Sequence, residues 1–190
     1  MSGRSSASLL IGRRVLLALL TSLQCAAMAQ TPAPAMPTEA AVKAAFLFKF
    51  PGFVDGPAGP LLRPGQPVVI GVVGSEEVAF QLDQINRARS EGGNAVVLRR
   101  LRDGEAASDL HVLFIGAGRE SRVRESAAAV RHAVLIVTEQ ENGLRLGGIL
   151  NFVVEGGRVR FTASMPAAEA RGLRLSARLL AVAQAVETGR

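Results

Sequence analysis

The chain has 190 residues, of which 22 are basic and 16 acidic, giving a formal net charge of +6. It contains no Tyr and no Trp, and all but two of its basic residues are arginines. The sequence also has no basic stripe interleaved with aromatic residues, so it does not favour nucleic-acid binding. The single cysteine, Cys25, excludes an internal disulfide and a cysteine-rich zinc site.

The first 29 residues have the pattern of a secretory signal peptide. A positively charged start ends at Arg14, an apolar core covers residues 15–23, and a small-x-small cleavage site ends at Ala29. The apolar core is too short to span a bilayer. We therefore expect residues 1–29 to be removed together with Cys25, leaving a periplasmic chain that does not span the membrane. An ordinary N-terminal helix is the alternative.

The mature chain is predicted to form one domain behind a short linker. Proline recurs in residues 30–38, which favours a disordered linker. Residues 39–190 are long enough for a single domain with its own core. The first helix is predicted from Glu39 to Phe50, where Pro51 ends it. Because this helix is apolar nearly all round, it should be buried on more than one side.

Apolar runs and helical patterns alternate along the rest of the domain. A helix opens at Glu76 after the cap residue Ser75. Further strands and helices are predicted at 68–73 (strand), 95–98 (strand), 110–115 (strand), 119–130 (helix) and 134–137 (strand). Short β-branched runs joined by helices predict an α/β fold, with a mainly parallel central sheet and helices on both of its faces.

The C-terminal third departs from this alternation. Gly156 and Gly157 lie between two apolar strands, which predicts a hairpin over residues 149–163 that adds antiparallel strands at one edge of the sheet. Residues 55–67 are rich in Gly and Pro and predict a loop. The last helix is predicted to carry four apolar residues on one face: Leu175, Leu179, Val182 and Val186.

Few residues could carry chemistry. His111 opens an apolar strand and His132 lies between a helix and a strand, and both positions are typical of structural histidines. The sequence has no H-x-x-x-H or H-x-H spacing and no G-x-S-x-G elbow. We therefore expect no catalytic residue, no metal and no cofactor. Asn151 shares a strand face with Ile149 and Val153, so its amide should form a structural bond to the neighbouring loop.

Two glycine turns precede predicted helices and define a candidate ligand site. Helix N-termini attract anions, and parallel strands end at the same edge of a sheet. The turns predict a site for a small anionic ligand at Gly74, Ser75, Gly116, Gly118 and Arg119. Neither turn completes the dinucleotide fingerprint G-x-G-x-x-G. The alternative is that both are tight turns leaving the strands.

A second candidate site is a surface for a partner protein. The first helix carries more apolar side chains than one core contact needs, and arginines surround two leucines near the C-terminus. An apolar centre with an arginine edge is typical of protein interfaces. The candidate residues are Phe46, Phe48, Leu173, Arg174, Leu175 and Arg178. The alternative is ordinary core flanked by solvated arginines.

Several segments, taken in this order, resemble the YfiR family. They are residues 43–50 (K-A-A-F-L-F-K-F), 70–74 (I-G-V-V-G), 113–116 (L-F-I-G), 147–152 (G-G-I-L-N-F) and 171–180 (R-G-L-R-L-S-A-R-L-L). The resemblance covers about residues 40–187. Gly56 stands where the family has a tryptophan, and the mature chain lacks the cysteines that form disulfides in some members.

The resemblance implies a periplasmic negative regulator that is not an enzyme. Such a protein binds the periplasmic domain of an inner-membrane diguanylate cyclase and holds the enzyme inactive. This repression lowers cyclic-di-GMP, the signal that controls biofilm formation. The resemblance also implies a homodimer and an outer-membrane lipoprotein that pulls the regulator away. A different class is a periplasmic small-molecule-binding protein serving a transporter or sensor kinase, supported by the glycine turns. A hydrolase is a weaker third alternative.

Overall fold

The structure is a computed structural model that describes residues 36–88, 95–130 and 133–189 of the chain. The predicted export signal over 1–29, residues 30–35 of the predicted linker, and His132 lie outside the described residues. Within the described ranges, no helix combines the length and the apolar character needed to cross a membrane.

Helices and strands alternate along the described residues. The strands are β1 (Val54–Gly56), β2 (Gly59–Pro60), β3 (Val68–Val73), β4 (Val96–Leu101), β5 (Val112–Ile115), β6 (Leu135–Thr138), β7 (Leu150–Glu155), β8 (Arg158–Ser164), β9 (Arg174–Leu175) and β10 (Ala185–Glu187). The helices are α1 (Glu39–Lys49), α2 (Glu76–Ala88), α3 (Glu120–Ala129), α4 (Met165–Ala170) and α5 (Ala177–Ala181), with 3-10 turns at Phe50–Phe53 and Gly143–Leu146. Helix α1 begins after Thr38, whose Oγ1 accepts a hydrogen bond from the Ala41 N–H at 3.2 Å.

A seven-stranded sheet with the order β10-β8-β7-β6-β5-β3-β4 forms the centre of the domain. Neighbouring strands from β4 to β7 are parallel, β7 and β8 are antiparallel, and β10 lies parallel to β8. Every residue of β3 is buried, and β3 pairs on both sides, with β4 and β5. The predicted α/β fold with a mainly parallel sheet is confirmed.

The central strands supply two separate cores, one on each face of the sheet. Ile70 and Val72 pack in a core with α1 and α2, whereas Val73 and Ile115 pack in another core with Val123 of α3. Successive side chains of a strand point to opposite faces, so a continuous apolar run serves both cores. The helices therefore cover both faces, as the sequence predicted.

The predicted hairpin is formed by β7 and β8. Glu155 lies opposite Arg158 across a two-residue turn. Gly156 and Gly157 have φ values of 56° and 73°, in the left-handed region that such a turn requires and that glycine adopts without strain. The hairpin lies toward one end of the sheet, and the three-residue strand β10 pairs outside it.

The last helix is shorter than the apolar spacing predicted. Helix α5 ends at Ala181, so that Val182 is 62% exposed and Val186 belongs to β10. The N–H of Gln184 donates to the carbonyl oxygen of Phe161 at 2.8 Å. The chain satisfies its backbone here by pairing with the open edge of β8 instead of continuing the helix, and apolar spacing alone does not report such an edge.

The segment 55–67, predicted as a loop, contributes strands to a second, smaller sheet. Strand β1 pairs antiparallel with both β2 and β9, giving the order β2-β1-β9. The N–H of Ser176 also donates to the carbonyl oxygen of Phe53 at 2.9 Å. This small sheet fixes the end of α1 beside the start of α5, although the two segments are far apart in sequence.

His111 joins two central strands, which confirms its structural role. Its backbone N–H donates to the carbonyl oxygen of Val69 at 2.9 Å, and its Nδ1 accepts the N–H of Val69 at 3.1 Å. Burial lowers the pKa of His111, and the nearby Asp109 carboxylate opposes this effect only in part. The fold therefore holds the imidazole in its neutral form.

Acidification should destabilise the protein through His111. The unfolded chain binds a proton near the ordinary histidine pKa of about 6.5, whereas the folded chain binds it only at lower pH. The stability contributed by this group is therefore complete above about pH 6.5 and falls below it. Between about pH 7.5 and about pH 5, the free energy of unfolding should fall less for His111→Asn than for the wild type, as measured by urea titration. The amide oxygen of the asparagine can still accept the Val69 N–H. Equal losses in the variant and the wild type would contradict this assignment.

Candidate functional site

The carboxyl ends of β3 and β5 meet at one edge of the sheet. Strand β3 leads into Gly74 and Ser75, strand β5 leads into residues 116–118, and the two turns are in contact. A Cβ on Gly116 would lie 2.6 Å from the Gly74 carbonyl oxygen, so glycine is required. Strand β3 is followed by a helix on one face of the sheet and β5 by a helix on the other. Parallel sheets bind ligands at such a point, outside the carboxyl ends of the two strands.

Two N–H groups of the turn after β5 are engaged by the chain itself. The Ala117 N–H donates to Glu139 Oε1 and the Gly118 N–H donates to Gln140 Oε1, both at 2.9 Å. Glu139 and Gln140 directly follow β6, the neighbour of β5. A side-chain carboxylate and a side-chain amide of the chain thus bond to N–H groups of the second predicted turn, among them that of Gly118.

Arg122 covers the same turns. Its Nη1 would lie 2.7 Å from a Cβ on Gly74 and 2.5 Å from a Cβ on Gly118, and its Nε donates to Asp103 Oδ2 at 3.0 Å. Arg119 precedes α3, is exposed, and makes no side-chain cap to that helix. The structure therefore brings the two predicted turns together, but it places Arg122 over them instead of Arg119.

A buried ion-pair network ties α1 to this edge. Lys43, whose side chain is 9% exposed, pairs with Glu39 one turn earlier and with Glu139. Burial lowers the pKa of Lys43, but the hydrogen bonds and charges of Glu139 and Glu39 outweigh burial and raise it overall. The two carboxylates therefore favour the charged form of Lys43. Sequence reasoning missed this network, for which the available signal is a lysine within a largely apolar helix.

A cleft of about 540 Å³ opens beside the network. Its walls carry Glu39, Glu77, Glu139 and Glu141 around Lys43, together with apolar side chains of α1, α2 and β7. Within the part of the chain that the structure describes, no group of three or more His, Cys, Asp or Glu is placed to hold a metal ion. The cleft is therefore acidic but lacks the geometry of a metal site.

Asn151 has a structural role at the same edge. It is buried, and its Oδ1 accepts a hydrogen bond from Thr138 Oγ1 at 2.6 Å. Gly143 packs so closely on this pair that a Cβ there would lie 2.3 Å from the Asn151 Oδ1. The predicted bond to a neighbouring loop is in fact a bond to the end of β6, with the loop packed against it.

The apolar side chains of α1 are buried or half-buried, as expected for a helix that is apolar nearly all round. Leu47 and Phe50 are buried, and Phe46 and Phe48 are half-buried. The ring of Phe46 stacks on Phe50 with centroids 5.5 Å apart and meets the ring of Phe161 at 5.8 Å. The helix therefore offers a partner less apolar surface than its composition suggests.

Leu173 belongs to the core, which corrects its assignment to a partner surface. It is 0% exposed and packs in the core that contains α1 and α2. The chain turns at Gly172, whose φ is 69°, and this turn directs Leu173 inward. Arg174 and Arg178 are exposed, and Leu175 is half-buried in β9. The predicted patch is therefore cationic outside but lacks its apolar centre.

An apolar groove lies between α1, β8 and α5. One part has a volume of about 290 Å³, and an adjoining part of about 490 Å³ shares Phe46, Phe161 and Val182 with it. We call it the Phe46 groove, with a floor of Phe46, Phe53, Phe161, Leu179 and Val182 and a rim of Lys49, Arg158, Arg160 and Arg178. Of the predicted partner residues, Phe46 and Arg178 line it. Phe53 was missed, and Val182 was expected on the inner face of a longer helix.

Comparison with known protein families identifies the family of the chain. A family described as YfiR/HmsC-like matches residues 40–184. The matched range runs from the first turn of α1 through the central sheet and the β7–β8 hairpin to the segment that follows α5. No curated protein matches the chain.

Truncation of Leu173 should destabilise the domain. Leu173→Ala removes a fully buried side chain and should lower the free energy of unfolding by about 2–5 kcal/mol. Leu175→Ala, two residues away and half-buried, is the matched control and should lower it less. Urea denaturation of both variants measures the difference. A Leu173→Ala protein as stable as the wild type would contradict the core assignment.

Removal of the Glu139 carboxylate should cost more stability than removal of the Glu39 carboxylate. Glu139→Ala leaves the buried Lys43 with one partner and should cost about 3 kcal/mol. The Glu39 side chain is 53% exposed, and pairs with exposed groups contribute only about 0–1 kcal/mol. The double variant Lys43→Met/Glu139→Gln should regain most of the loss, because no unpaired charge stays buried. Equal destabilisation by the two alanine substitutions in urea denaturation would contradict this account.

Proposed function

Because the chain belongs to the YfiR/HmsC-like family, we propose that it is a periplasmic regulatory protein and not an enzyme. In this proposal it binds the periplasmic sensor domain of an inner-membrane diguanylate cyclase and represses the enzyme. Repression lowers cyclic-di-GMP and, with it, biofilm formation. The family match over residues 40–184 is the observation that carries the proposal.

The charged groups at the carboxyl edge of the sheet support binding over catalysis. Lys43 is held in its charged form, Glu139 is occupied by Lys43 and the Ala117 N–H, and Asn151 bonds to Thr138. A general base or nucleophile needs a group that faces the substrate with a tuned pKa. The groups at this edge are instead engaged with one another.

The proposal also includes the location of the protein, its homodimer and its release of the cyclase. Periplasmic location is supported by the export signal predicted over residues 1–29. Homodimer formation rests on the family resemblance. So does release of the cyclase, in which an outer-membrane lipoprotein captures the regulator.

A periplasmic small-molecule-binding protein that serves a transporter or sensor kinase is the second candidate. The cleft of about 540 Å³ at the carboxyl edge is the observation that favours it. An anionic ligand that used the Ala117 and Gly118 N–H groups would have to displace Glu139 and Gln140 from them. Regulation through protein contact is preferred because it needs no such displacement.

Deletion of the gene should raise cyclic-di-GMP, and expression of the full chain should lower it again. Cyclic-di-GMP is measured by mass spectrometry, with biofilm mass as a second readout. The matched control is a chain that lacks residues 2–29, which carries the same domain but should not be exported. An unchanged cyclic-di-GMP level after deletion, or full complementation by the unexported form, would contradict the proposal. A change in solute uptake alone would favour the second candidate.

A further inference from the structure

The floor of the Phe46 groove is an apolar surface that the described chain leaves open. Phe53 is 37% exposed, Val182 is 62% exposed, and Phe46 is half-buried. All three line the same groove. Other exposed large apolar side chains, such as Phe80 and Val154, lie outside it. Apolar surface gathered in one trough is characteristic of a binding site.

The cations around this floor have no partner among the described residues. None of the ion pairs that the structure shows includes Lys49, Arg158, Arg160 or Arg178, and all four are exposed. The described residues that line the groove include no Asp and no Glu. By contrast, arginines of β4 and α3 pair with carboxylates of their own chain. The groove thus presents a positive charge that a bound molecule can complement.

We infer that the Phe46 groove binds an acidic amphipathic helix of a partner protein. Apolar side chains spaced one turn apart along such a helix would fill the floor, while Asp and Glu on its flanks would meet the four rim cations. The inference deepens the proposed function and rests on it, since the partner is then the sensor domain of the cyclase.

A helix fits this groove better than an added strand does. An added strand would have only residues 158–160 of β8 to pair with, because the Phe161 carbonyl oxygen accepts the Gln184 N–H and β10 pairs with residues 162–164. Helix-in-groove binding needs only an apolar trough and charged margins. A membrane surface fits less well, because the floor is recessed between α1, β8 and α5, whereas interfacial binding requires apolar groups that protrude.

Tryptophan fluorescence gives a direct readout, because the chain contains no Trp and no Tyr. The probe is a synthetic amphipathic helix with Leu and a single Trp at positions i, i+3, i+4 and i+7 and Glu along both flanks. The matched control peptide has Lys in place of each Glu. With the exported, processed protein, only the acidic peptide should show a blue-shifted emission, and its affinity should fall as salt is added.

Reversal of two of the four rim charges should remove the peptide preference. Arg158→Glu/Arg178→Glu leaves the rim with two cations and two anions, so it should weaken binding of the acidic peptide by at least about tenfold and bring its affinity close to that of the lysine peptide. Arg99→Glu/Arg124→Glu changes the net charge equally on β4 and α3 and should alter neither affinity. Circular dichroism checks that both double variants remain folded.

The floor is tested by a second pair of variants. Val182→Asp places a charge in the groove at an exposed position and should weaken binding of the acidic peptide by about tenfold. Val154→Asp, at a comparably exposed position of β7 outside the groove, should leave binding unchanged. Equal effects of the two substitutions would overturn the assignment of the floor.

Other occupants of the groove are separate outcomes of these measurements. The inference is overturned if the acidic peptide does not bind, or if it binds equally to both arginine double variants. It is also overturned if the rim variant abolishes binding to vesicles that contain anionic lipid. Dissociation of a dimer by the rim variant, seen by size-exclusion chromatography, would likewise assign the groove to a second copy of the chain.

The cyclase's sensor domain separates this inference from the proposed function. If the wild type and the rim variant bind that domain equally well, the inference fails and the proposed function stands. If the domain binds neither protein while the acidic peptide keeps its preference, the proposed function fails and the groove still binds an acidic helix. Binding of the domain by the wild type and its loss in Arg158→Glu/Arg178→Glu alone supports both.

Discussion

Contacts between phenylalanine rings hold the end of α1 on the sheet, and both candidate surfaces depend on them. Phe46 and Phe50 meet Phe152 and Phe161 of the β7–β8 hairpin, with ring centroids 5.1 to 6.0 Å apart. Such pairs each contribute about 0.5–1.5 kcal/mol beyond the area that they bury. Two of these rings, Phe46 and Phe161, also form part of the floor of the groove, which lies between the helix and the hairpin. They also fix the helix whose buried lysine reaches the carboxyl edge of the sheet.

Buried and exposed charged residues of the domain differ in where their partners lie. Arg171 donates to the carbonyl oxygens of Val130 and Ala127 at 2.9 and 2.7 Å, closing the C-terminal end of α3. Burial lowers the pKa of Arg171, and Lys43 is likewise surrounded by partners. A buried charge requires partners within the chain because its desolvation is costly. The exposed cations of the groove rim carry no such requirement, so their partners can belong to another protein.

The glycine turns show how far sequence reasoning reaches into the candidate ligand site. That Gly74 and Gly116 meet follows from the parallel strands that precede them. That Glu139 and Gln140 take up the neighbouring N–H groups does not follow, because these side chains belong to the loop after another strand. The spacing of these residues in the sequence does not indicate that they are in contact. The contact arises because β6 lies beside β5 in the sheet.

By itself the sequence determined what depends on neighbouring residues. Apolar β-branched runs specify strands, Thr38 and Pro51 bound the first helix, and the two glycines of the hairpin turn set its register. Only the tertiary structure decided which apolar residues near the C-terminus are core. Leu173 is buried and Val182 is exposed because Gly172 turns the chain and β8 offers an edge to β10. The pairing of Lys43 with Glu139, which are 96 residues apart, has the same origin. Core and interface use similar apolar patterns, so the choice between them is made by which elements pack together.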